Sequence, residues 1–572
     1  MRRHLLFLLL LTATLQAQQP AFPSAPAAQP SPAARGYRIA GTVIGLVSSQ
    51  PVADASVSIT ATANPAPSIT MQTGPDGRFV FLNVSRGKYL LIAKAKGYSP
   101  QGLDEHGDYA TAVAVGPELD AEHIVLRLRP DAAIEGRVTD EHNEPVANAS
   151  VQLFRKGMYR GAAKIVVANQ MQTDEDGYYH IEHCSPGTYY VAVSARPWYA
   201  QNYDPAAWKG LDAETAVRVA QEAKARDVAY PLTFYPGVED SSGATPINLH
   251  PGGQFTADVV MRAVPAARLR IHFPEPERKE GEARSYPMFF QRISQRIFDG
   301  YLDQAIQGQG TSAQPGVLEI LGVAPGDYVI QMEPNRFNEK FGIKPGAGWY
   351  EEINVVGDMD LQAAEAPRMG TISGAVTYEG SSAPAPGRTF IELANRESGE
   401  RWSSEVDDKG LFGIKDNAIR PGTYEALLSG QTGYVIRKLS ARGAKVSGGT
   451  IVITPGASVQ VVCTAIRATA QIDGTVVRDD NPVSGAMVVL VPQDVVEDWV
   501  LVRRDQSDSD GTFTLPNVVP GQYTVVAIVD GWDLEWGKPS VIAPYRKRGT
   551  PVQVPSDGKL NIKVQALSAG VR

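Results

Sequence analysis

One short stretch of the chain concentrates residues that could bind a metal ion. Residues 173–193 read TDEDGYYHIEHCSPGTYYVAV. Within them His180, His183 and Cys184 are of the types that coordinate zinc. Whether they form a site depends on the structural element that carries them, because side chains on one strand point alternately to opposite faces.

Two acidic turns raise the possibility of calcium. Asp174 and Asp176 precede Gly177, and Asp508 and Asp510 stand in the same way before a glycine further along the chain. Calcium prefers about six to eight oxygen ligands, but neither stretch continues with the spaced ligands and closing glutamate of an EF-hand. Asp-Gly is also the pair that a tight turn requires. The sequence therefore predicts turns at both places, and these four residues are weak calcium candidates. No cofactor is predicted.

Catalytic patterns are sparse. The one His-x-x-Glu pattern is His272 with Glu275, and no histidine follows it to complete a zinc peptidase site. A Gly-x-Ser-x-Gly motif does not occur, and Ser556 with Lys559 matches Ser-x-x-Lys only in a glycine-containing turn. The sequence predicts no catalytic residue and no enzyme activity.

The reactive-looking stretch is one copy of an internal repeat that ends in Gly-x-Tyr. The five copies are DGRFVFLNVSRGKYLLIA from Asp76, DGYYHIEHCSPGTYYVAV from Asp176, PGVLEILGVAPGDYVIQM from Pro315, KGLFGIKDNAIRPGTYEALL from Lys409 and DGTFTLPNVVPGQYTVVA from Asp510. Apolar residues alternate before and after the central loop of each copy, which predicts two short strands.

An upstream half repeats as well. A Gly-x-Val motif opens a strand at Gly41, Gly136, Gly374 and Gly474, and Pro-Val-x-x-Ala-x-Val follows in three of these copies. Short alternating strands with regular turn signals favour a sandwich. We predict an all-β fold, a tandem array of about five antiparallel β-sandwich domains. Helix-forming residues at 212–229 predict one short helical insertion at about 205–230.

The combined motif resembles the carboxypeptidase regulatory-like domain, a transthyretin-like β-sandwich. It is similar to the small domain that follows the catalytic domain in some metallocarboxypeptidases, and such domains also form arrays in exported bacterial proteins. The resemblance is strong in copies one, two and five, fair in copy four and weak in copy three. It implies a carbohydrate-binding-like or Ig-like fold and no single activity, because function depends on sites added to the scaffold.

These patterns divide the chain into seven segments. Arg2 and Arg3 precede an apolar run that is too short to span a membrane, which is typical of a signal peptide. The predicted segments are a signal peptide at 1–17, a Pro/Ala-rich linker at 18–36, and sandwiches at 37–129, 130–265, 266–367, 368–466 and 467–572. We expect an exported protein in the periplasm, at the cell surface or outside the cell, without a transmembrane segment in the mature chain.

Aromatic residues follow the Gly-x-Tyr strands and suggest a binding function. The hypothetical ligand-binding residues are Tyr98, Trp198, Tyr199, Tyr203, Trp208, Trp532 and Trp536. Exposed rings of this kind can stack on sugars, whereas buried rings would close the ends of the sandwiches. The suspected partner is a polysaccharide, a peptide or a cell-surface protein. A net charge of −8 gives no indication of nucleic acid binding.

Two other functions remain open. The array could be a structural scaffold or adhesin-like protein that mediates protein contacts, since it is also similar to collagen-adhesin repeats of the Cna-B type. It could equally be an accessory array of a carboxypeptidase-type system without its own catalytic site.

Alignment of the copies answers the question about the reactive stretch. Cys184 falls where other copies have Val84, Val323 and Val518, so it is expected in the core as a thiol separate from Cys463. His180 takes an outward strand position and His183 a loop position. The sequence therefore predicts a scaffold repeat at this place and no metal site.

Overall fold

The chain folds into a tandem array of β-sandwiches, as the repeat predicts. The computed structural model describes residues 36–63, 67–200, 212–274, 289–298, 300–303, 311–314, 316–334, 348–363, 366, 368–380, 389–395, 400–430, 433–495, 498–556 and 558–570. Five hydrophobic clusters occupy 39–128, 132–261, 267–366, 372–465 and 470–564, each within one of the five predicted segments. We number the corresponding sandwiches 1 to 5. The predicted signal peptide and most of the linker lie outside the described residues.

The strands of the first two sandwiches are short except for one long hairpin. Sandwich 1 contains β1 Tyr37–Gly45, β2 Ser56–Ala61, β3 Ile69–Gln72, β4 Arg78–Val84, β5 Gly87–Lys94, β6 Gln101–Gly102, β7 Val113–Val115 and β8 Ile124–Leu128. Sandwich 2 contains β9 Ala132–Thr139, β10 Ser150–Tyr159, β11 Ala162–Gln172, β12 Tyr178–Cys184, β13 Gly187–Ser194, β14 Val228–Ala229, β15 Thr233–Phe234, β16 Ile247–Leu249, β17 Gln254–Thr256, β18 Val259–Val260 and β19 Val264–Pro265.

The remaining strands repeat the arrangement. Sandwich 3 contains β20 Ala267–His272, β21 Phe289–Ile297, β22 Gly300–Asp303, β23 Thr311–Gln314, β24 Val317–Val323, β25 Gly326–Pro334, β26 Trp349–Val355 and β27 Met359–Gln362. Sandwich 4 contains β28 Gly370–Glu379, β29 Thr389–Asn395, β30 Arg401–Glu405, β31 Leu411–Ile419, β32 Gly422–Gly430, β33 Tyr434–Arg442, β34 Lys445–Ser447, β35 Thr450–Ile453 and β36 Ser458–Arg467. Sandwich 5 contains β37 Ala470–Arg478, β38 Asn481–Pro482, β39 Met487–Pro492, β40 Arg503–Gln506, β41 Thr512–Val518, β42 Gly521–Val529, β43 Thr550–Val554 and β44 Lys559–Ser568.

Two α-helices accompany the strands in the described part of the chain. Helix α1, Ala213–Ala225, lies in the predicted insertion, and the Asp212 carboxylate caps it by accepting a hydrogen bond from the Thr215 amide at 3.0 Å. Helix α2, Pro539–Arg548, packs on sandwich 5 through Ile542 and Tyr545. The sequence did not predict this second helix.

Every sandwich has the same pairing scheme. The opening strand pairs antiparallel with the first strand of the repeat, as β1 does with β4, and the second long strand pairs with the Gly-x-Tyr strand in the facing sheet, as β2 does with β5. The loop between the two repeat strands therefore crosses from one sheet to the other. The sheets are mainly antiparallel, and a late strand of each sandwich runs parallel to the opening strand, as β8 does to β1.

The opening glycines allow an aromatic ring to cross the strand closely. A Cβ on Gly374 would lie 2.2 Å from Val461 O and 2.6 Å from Phe412 Cζ, and a Cβ on Gly474 would lie 2.4 Å from Phe513 Cζ. Real side chains do not approach so closely. The glycine of the Gly-x-Val motif is therefore required because the aromatic ring of the repeat strand packs directly against it and leaves no room for a side chain.

The Gly-x-Tyr motif forms a tyrosine corner, in which the ring is anchored to the loop that precedes its strand. Each hydroxyl donates to the carbonyl oxygen four residues earlier, at 3.1 Å for Tyr89, 2.6 Å for Tyr189, 2.9 Å for Tyr328, 2.7 Å for Tyr424 and 2.9 Å for Tyr523. The glycine has a φ of +152° to +157° in copies two to five, which L side chains rarely adopt.

The Pro-Val-x-x-Ala motif is held by a hydroxyl from the neighbouring strand. The Thr173 hydroxyl accepts from the Ala149 amide at 2.9 Å and donates to Val146 O at 2.7 Å. Thr73 and Ser507 make the same two bonds in sandwiches 1 and 5. One side chain thus satisfies a buried amide and a buried carbonyl that would otherwise lack partners.

Candidate functional site

The acidic turn of sandwich 5 lies against sandwich 1. The Gly511 amide donates to Asp508 O at 2.8 Å, which closes the turn, and the Asp508 carboxylate contacts sandwich 1. There Oδ2 lies 2.5 Å from Nζ of Lys88, and Oδ1 accepts from the Ala112 amide at 3.0 Å. The side chains of Lys88 and Asp508 are only 30% and 16% exposed. This is a half-buried ion pair between residues 420 positions apart in sequence.

The strand β7 adds backbone bonds to this contact. Ser509 N donates to Ala112 O at 3.0 Å, and the Ala114 amide donates to the Ser509 hydroxyl at 2.8 Å. One bond satisfies a backbone group of β7 and the other a backbone group of the residue just before it, so the turn pairs with this short strand. The contact therefore combines charge with directional hydrogen bonds.

A ring stack forms the second half of the contact. Trp532 of sandwich 5 lies parallel to His106 of sandwich 1, with ring centroids 4.8 Å apart, and 5.3 Å from the centroid of Tyr109. Its indole Nε1 donates to Gly485 O at 3.2 Å. Gln506 Nε2 of sandwich 5 also donates to Thr111 Oγ1 of sandwich 1 at 2.7 Å. We call these residues, together with Lys88 and Asp508, the 1–5 contact.

Burial governs the electrostatics of this contact. Burial raises the pKa of Asp508, although the Lys88 ammonium opposes the shift. Burial also raises the pKa of the neighbouring Asp505 to about 6, while hydrogen bonds to its carboxylate, including one from the Thr514 amide at 2.7 Å, oppose the shift. The charge of Asp508 also raises the pKa of Asp505, and the charge of Lys88 lowers it, so the two carboxylates and the lysine influence one another in partly desolvated surroundings.

A hairpin arm from sandwich 2 reaches sandwiches 4 and 5. β10 and β11 extend to a tip at Arg160 and Gly161, where Gly161 O accepts from the Gly537 amide at 2.8 Å. Arg160 lies 3.8 Å over the ring of Trp499 in sandwich 5 and pairs with the buried Glu425 of sandwich 4. A charge pair and a cation–π contact therefore hold one short tip between two domains.

The structure separates the proposed aromatic ligand-binding residues. Trp536 is 8% exposed in a hydrophobic cluster under α2, and Trp532 belongs to the 1–5 contact, so both rings pack between sandwiches instead of facing solvent. Tyr98 is half-buried against the core of sandwich 1. Tyr203 and Trp208 lie outside the described residues.

Trp198 and Tyr199 form the most open aromatic pair among these candidates. Trp198 is 81% exposed and meets Tyr199 edge to face, with ring centroids 5.7 Å apart. The Tyr199 hydroxyl donates to Glu141 Oε1 at 2.9 Å. Burial and that bond raise the pKa of Tyr199 to about 12, so its hydroxyl keeps its proton at neutral pH.

Two of the four acidic turn residues, Asp174 and Asp510, bond to the backbone of their own turns. Asp174 Oδ1 accepts from the amides of Asp176 and Tyr178 at 3.0 and 2.8 Å, and Asp510 Oδ1 accepts from the Thr512 amide at 3.1 Å. These are the bonds of an Asx-type turn. Calcium binding by these residues remains a hypothesis.

The HIEHC residues take three different environments. His180 Nδ1 lies 3.0 Å from Glu135 Oε2 on the outer face, and His183 Nδ1 lies 2.9 Å from Asp131 Oδ2. His183 has a φ of +56° at a bulge of the strand, the position held by Asn83, Gly322 and Asn517 in other copies. Cys184 is buried, and burial raises the pKa of its thiol. Cys184 and Cys463 are both free thiols.

Some residues of interest have no signal in the sequence pattern. Lys88, His106 and the arm tip carry ordinary residue types, and only the three-dimensional arrangement brings them to sandwich 5.

Asp140, Glu141 and His142 form the one group of three potential metal ligands that the described part of the chain brings together. Asp140 Oδ1 there accepts from the amides of His142 and Glu144 as a turn residue.

The comparisons with known proteins support the fold. The carboxypeptidase regulatory-like domain family matches residues 38–118, 133–227 and 471–565, which are the three copies with the strongest motif. The chain therefore contains three segments that match the carboxypeptidase regulatory-like domain, in sandwiches 1, 2 and 5. The matched family is a regulatory-like domain and not a peptidase catalytic domain. No curated protein matches the sequence.

Several solved structures are similar at low identity. The Bacillus anthracis TIE protein is 12% identical over 74% of this chain and 69% of its own, with a TM-score of 0.15. The minor pilin GBS52 of Streptococcus agalactiae is 11% identical over 40% of this chain and 97% of its own, with a TM-score of 0.21. The shaft pilin SpaA of Lactobacillus rhamnosus GG is 10% identical over 40% and 98%, with a TM-score of 0.19. TM-scores this low carry no argument.

Among the described residues no helix is long and apolar enough to cross a membrane.

Proposed function

We propose that this chain is an exported, non-catalytic scaffold whose sandwiches are held together for contacts with other macromolecules outside the cytoplasm. The 1–5 contact carries the proposal, because it joins the first sandwich of the array to the last. A string of independent modules would leave Lys88 and Trp532 in water. The arm of sandwich 2 adds a second connection at Arg160, so non-covalent contacts as well as the covalent linkers hold the sandwiches together.

Zero-length cross-linking tests the 1–5 contact in the full chain. A carbodiimide joins an ammonium to a carboxylate only where the two groups touch, so we expect a Lys88–Asp508 cross-linked peptide by mass spectrometry. The exposed pair Lys563 and Asp480, 2.9 Å apart, is the positive control within sandwich 5.

Matched substitutions sharpen the test. Asp508→Asn keeps an oxygen for the Ala112 amide and removes the charge, and together with Trp532→Ala it should raise the radius of gyration in X-ray scattering. Asp174→Asn changes the equivalent turn of sandwich 2, where Asp174 is exposed, and should leave the radius unchanged. A wild-type protein that cross-links Lys563 to Asp480 but never Lys88 to Asp508 would contradict the scaffold.

A second function, binding of a polysaccharide or peptide, is favoured by one observation. The 81% exposure of Trp198 leaves a large ring in water beside Tyr199, and such rings stack on sugar faces or peptide side chains. A glycan array with wild type and Trp198→Ala tests it, and Trp532→Ala is the control for an aromatic residue inside a domain contact. Equal binding by wild type and Trp198→Ala would rule out this aromatic surface.

A further inference from the structure

Sandwich 5 has a groove where the end of α2 leaves its sheet uncovered. Ile542 and Tyr545 of the helix pack over Val526 and Ile528, but the helix ends at Arg548. Beyond it β39, β42 and β43 continue side by side and form the floor of a groove of about 670 Å³. The groove is large enough for several sugar-sized units, and its ten lining residues include no carboxylate.

Three glutamine amides give the groove its polar character. Gln522 and Gln553 lie directly opposite each other on β42 and β43, and Gln493 Nε2 donates to Gln522 Oε1 at 2.9 Å. All three side chains are exposed. Each amide offers two N–H donors and a carbonyl oxygen, so the set can both donate to and accept from the hydroxyl groups of a ligand.

Arg546 supplies a fixed positive charge at the same place. One nitrogen of its guanidinium, Nη1, donates to the carbonyl oxygens of Pro492 and Gln493, which holds the side chain against the groove. A guanidinium has five N–H donors and pairs bidentately with carboxylates. Lys547 and Arg548 follow in the last turn of the helix. This basic cluster belongs to a chain whose net charge is −8, so it is a local departure from the overall acidity.

The aromatic content of the groove argues against nucleic acid. Tyr523 is the only aromatic residue that lines it, and the ring is 6% exposed with its hydroxyl bonded to Val519 O. Single-stranded nucleic acids depend on exposed rings for base stacking. A ligand with hydroxyl groups and carboxylates, but without bases, matches the amides and the guanidinium.

We propose that this groove binds an acidic polysaccharide, with uronate carboxylates paired to Arg546 and sugar hydroxyl groups bonded to Gln493, Gln522 and Gln553. The site lies in sandwich 5, apart from Trp198 and from the 1–5 contact. It therefore adds a ligand to the proposed scaffold and rests on neither function proposed above.

Calorimetry with the full chain and polygalacturonate tests this proposal. We expect binding to polygalacturonate and none to neutral dextran, and Arg546→Gln should weaken binding about tenfold or more. Gln522→Ala should also weaken binding, because its amide is proposed to form hydrogen bonds with the sugar hydroxyl groups. Lys538→Gln removes one positive charge from the other end of α2 and should change little. Trp198→Ala should leave this binding unchanged.

The remaining outcomes each overturn the proposal. Poly-glutamate bound as tightly as polygalacturonate, with no effect of Gln522→Ala, would indicate an acidic peptide or nonspecific charge. Oligo-dT bound more tightly would indicate nucleic acid. Arg546 also holds two carbonyl groups, so Gln553→Ala, which changes only an exposed side chain, separates lost binding from lost folding. Full binding by both Arg546→Gln and Gln553→Ala would place the ligand elsewhere.

Discussion

Sandwiches 2 and 5 carry the same acidic turn in two different settings. Asp174 is exposed and bonds only to its own turn among the contacts described above, whereas the side chain of Asp508 is 16% exposed and pairs with Lys88 of another sandwich. Gly177 and Gly511 nevertheless have nearly the same φ, +72° and +76°. The backbone of the turn is thus set by the repeat, while the use of its carboxylate is set by the neighbouring domain.

This difference separates two kinds of residue. Residues that recur along the array, such as the opening glycine of four copies and the corner tyrosine of all five, build each sandwich. Residues that belong to one copy, such as Lys88 or Trp532, connect sandwiches or line grooves. If this division is correct, substitutions of the first kind should cost the most stability, and substitutions that restore the repeat should cost little or increase it.

Gly374→Ala should have the largest effect, because the new Cβ would lie 2.2 Å from Val461 O in the middle of sandwich 4. We expect a loss of about 3 kcal/mol in local stability, the upper end of the usual cost of overpacking, because backbone atoms must move. Hydrogen exchange of β28 and β31 in the full chain measures this loss. Gly413→Ala is the control on the paired strand, since the nearest atoms to its new Cβ are 3.8 Å away. A similar loss in both variants would mean that the opening glycine has no special role.

These particulars also show what the sequence could and could not predict. The opening glycine, Gly-x-Tyr and Pro-Val-x-x-Ala recur in four, five and three copies, and each recurrence reports a local contact within a sandwich, so the sandwich array was predictable. The 1–5 contact was not predictable, because Lys88 and His106 lie 420 and 400 residues from Asp508 and Gln506, which they contact, and their residue types recur in no pattern. Helix α2 was missed because its sequence, PSVIAPYRKR, contains an internal proline and lacks a side-chain cap.

Asp505 breaks the repeat and should lower stability at neutral pH. The equivalent strand positions hold Met71 and Met171, which face Val57 and Val151 as Asp505 faces Val488. The Asp505 pKa is about 6 in the folded protein and about 4 in an unfolded chain. The folded state therefore binds more protons between these values, and stability falls as the pH rises from about 4 to about 6.

Substitution of Asp505 should remove this pH dependence. Asp505→Asn keeps an oxygen for the Thr514 amide, so it should match the wild type near pH 4 and exceed it by about 1–2 kcal/mol at pH 7, because Asp505 is only partly exposed. Asp505→Met should lose the same pH dependence but be less stable than Asp505→Asn, because the Thr514 amide loses its acceptor. Calorimetric melting of sandwich 5 across this pH range measures the difference. A wild-type advantage that grows with pH would contradict the prediction and show that the charge of Asp505 is stabilising.

The tyrosine corners should differ in strength according to burial. Tyr424 is fully buried and donates to Arg420 O at 2.7 Å, whereas Tyr89 is partly exposed and its bond to Ser85 O is 3.1 Å long. Tyr424→Phe leaves a buried carbonyl without this donor and should cost about 1–2 kcal/mol. Tyr89→Phe should cost less than about 0.5 kcal/mol, since water can replace its hydroxyl. Hydrogen exchange of β32 and β5 compares the two, and equal losses would mean that burial does not set the strength of the corner.

Cys184→Val should have the smallest effect, and it distinguishes a scaffold position from a reactive one. Val84, Val323 and Val518 occupy the aligned position and are 6%, 1% and 0% exposed, while Cys184 is 6% exposed. Valine is larger than cysteine by about one methyl group, but the three aligned cores accommodate that group, so we expect a change below about 0.5 kcal/mol. Cys184→Ser should cost more, because it places a hydroxyl in an apolar core. Thermal melting with and without added zinc measures both variants. If the wild type gained stability from zinc and Cys184→Val lost that gain, the cysteine would be a ligand with His180 or His183, and alignment with the other copies would have given the wrong role for this stretch.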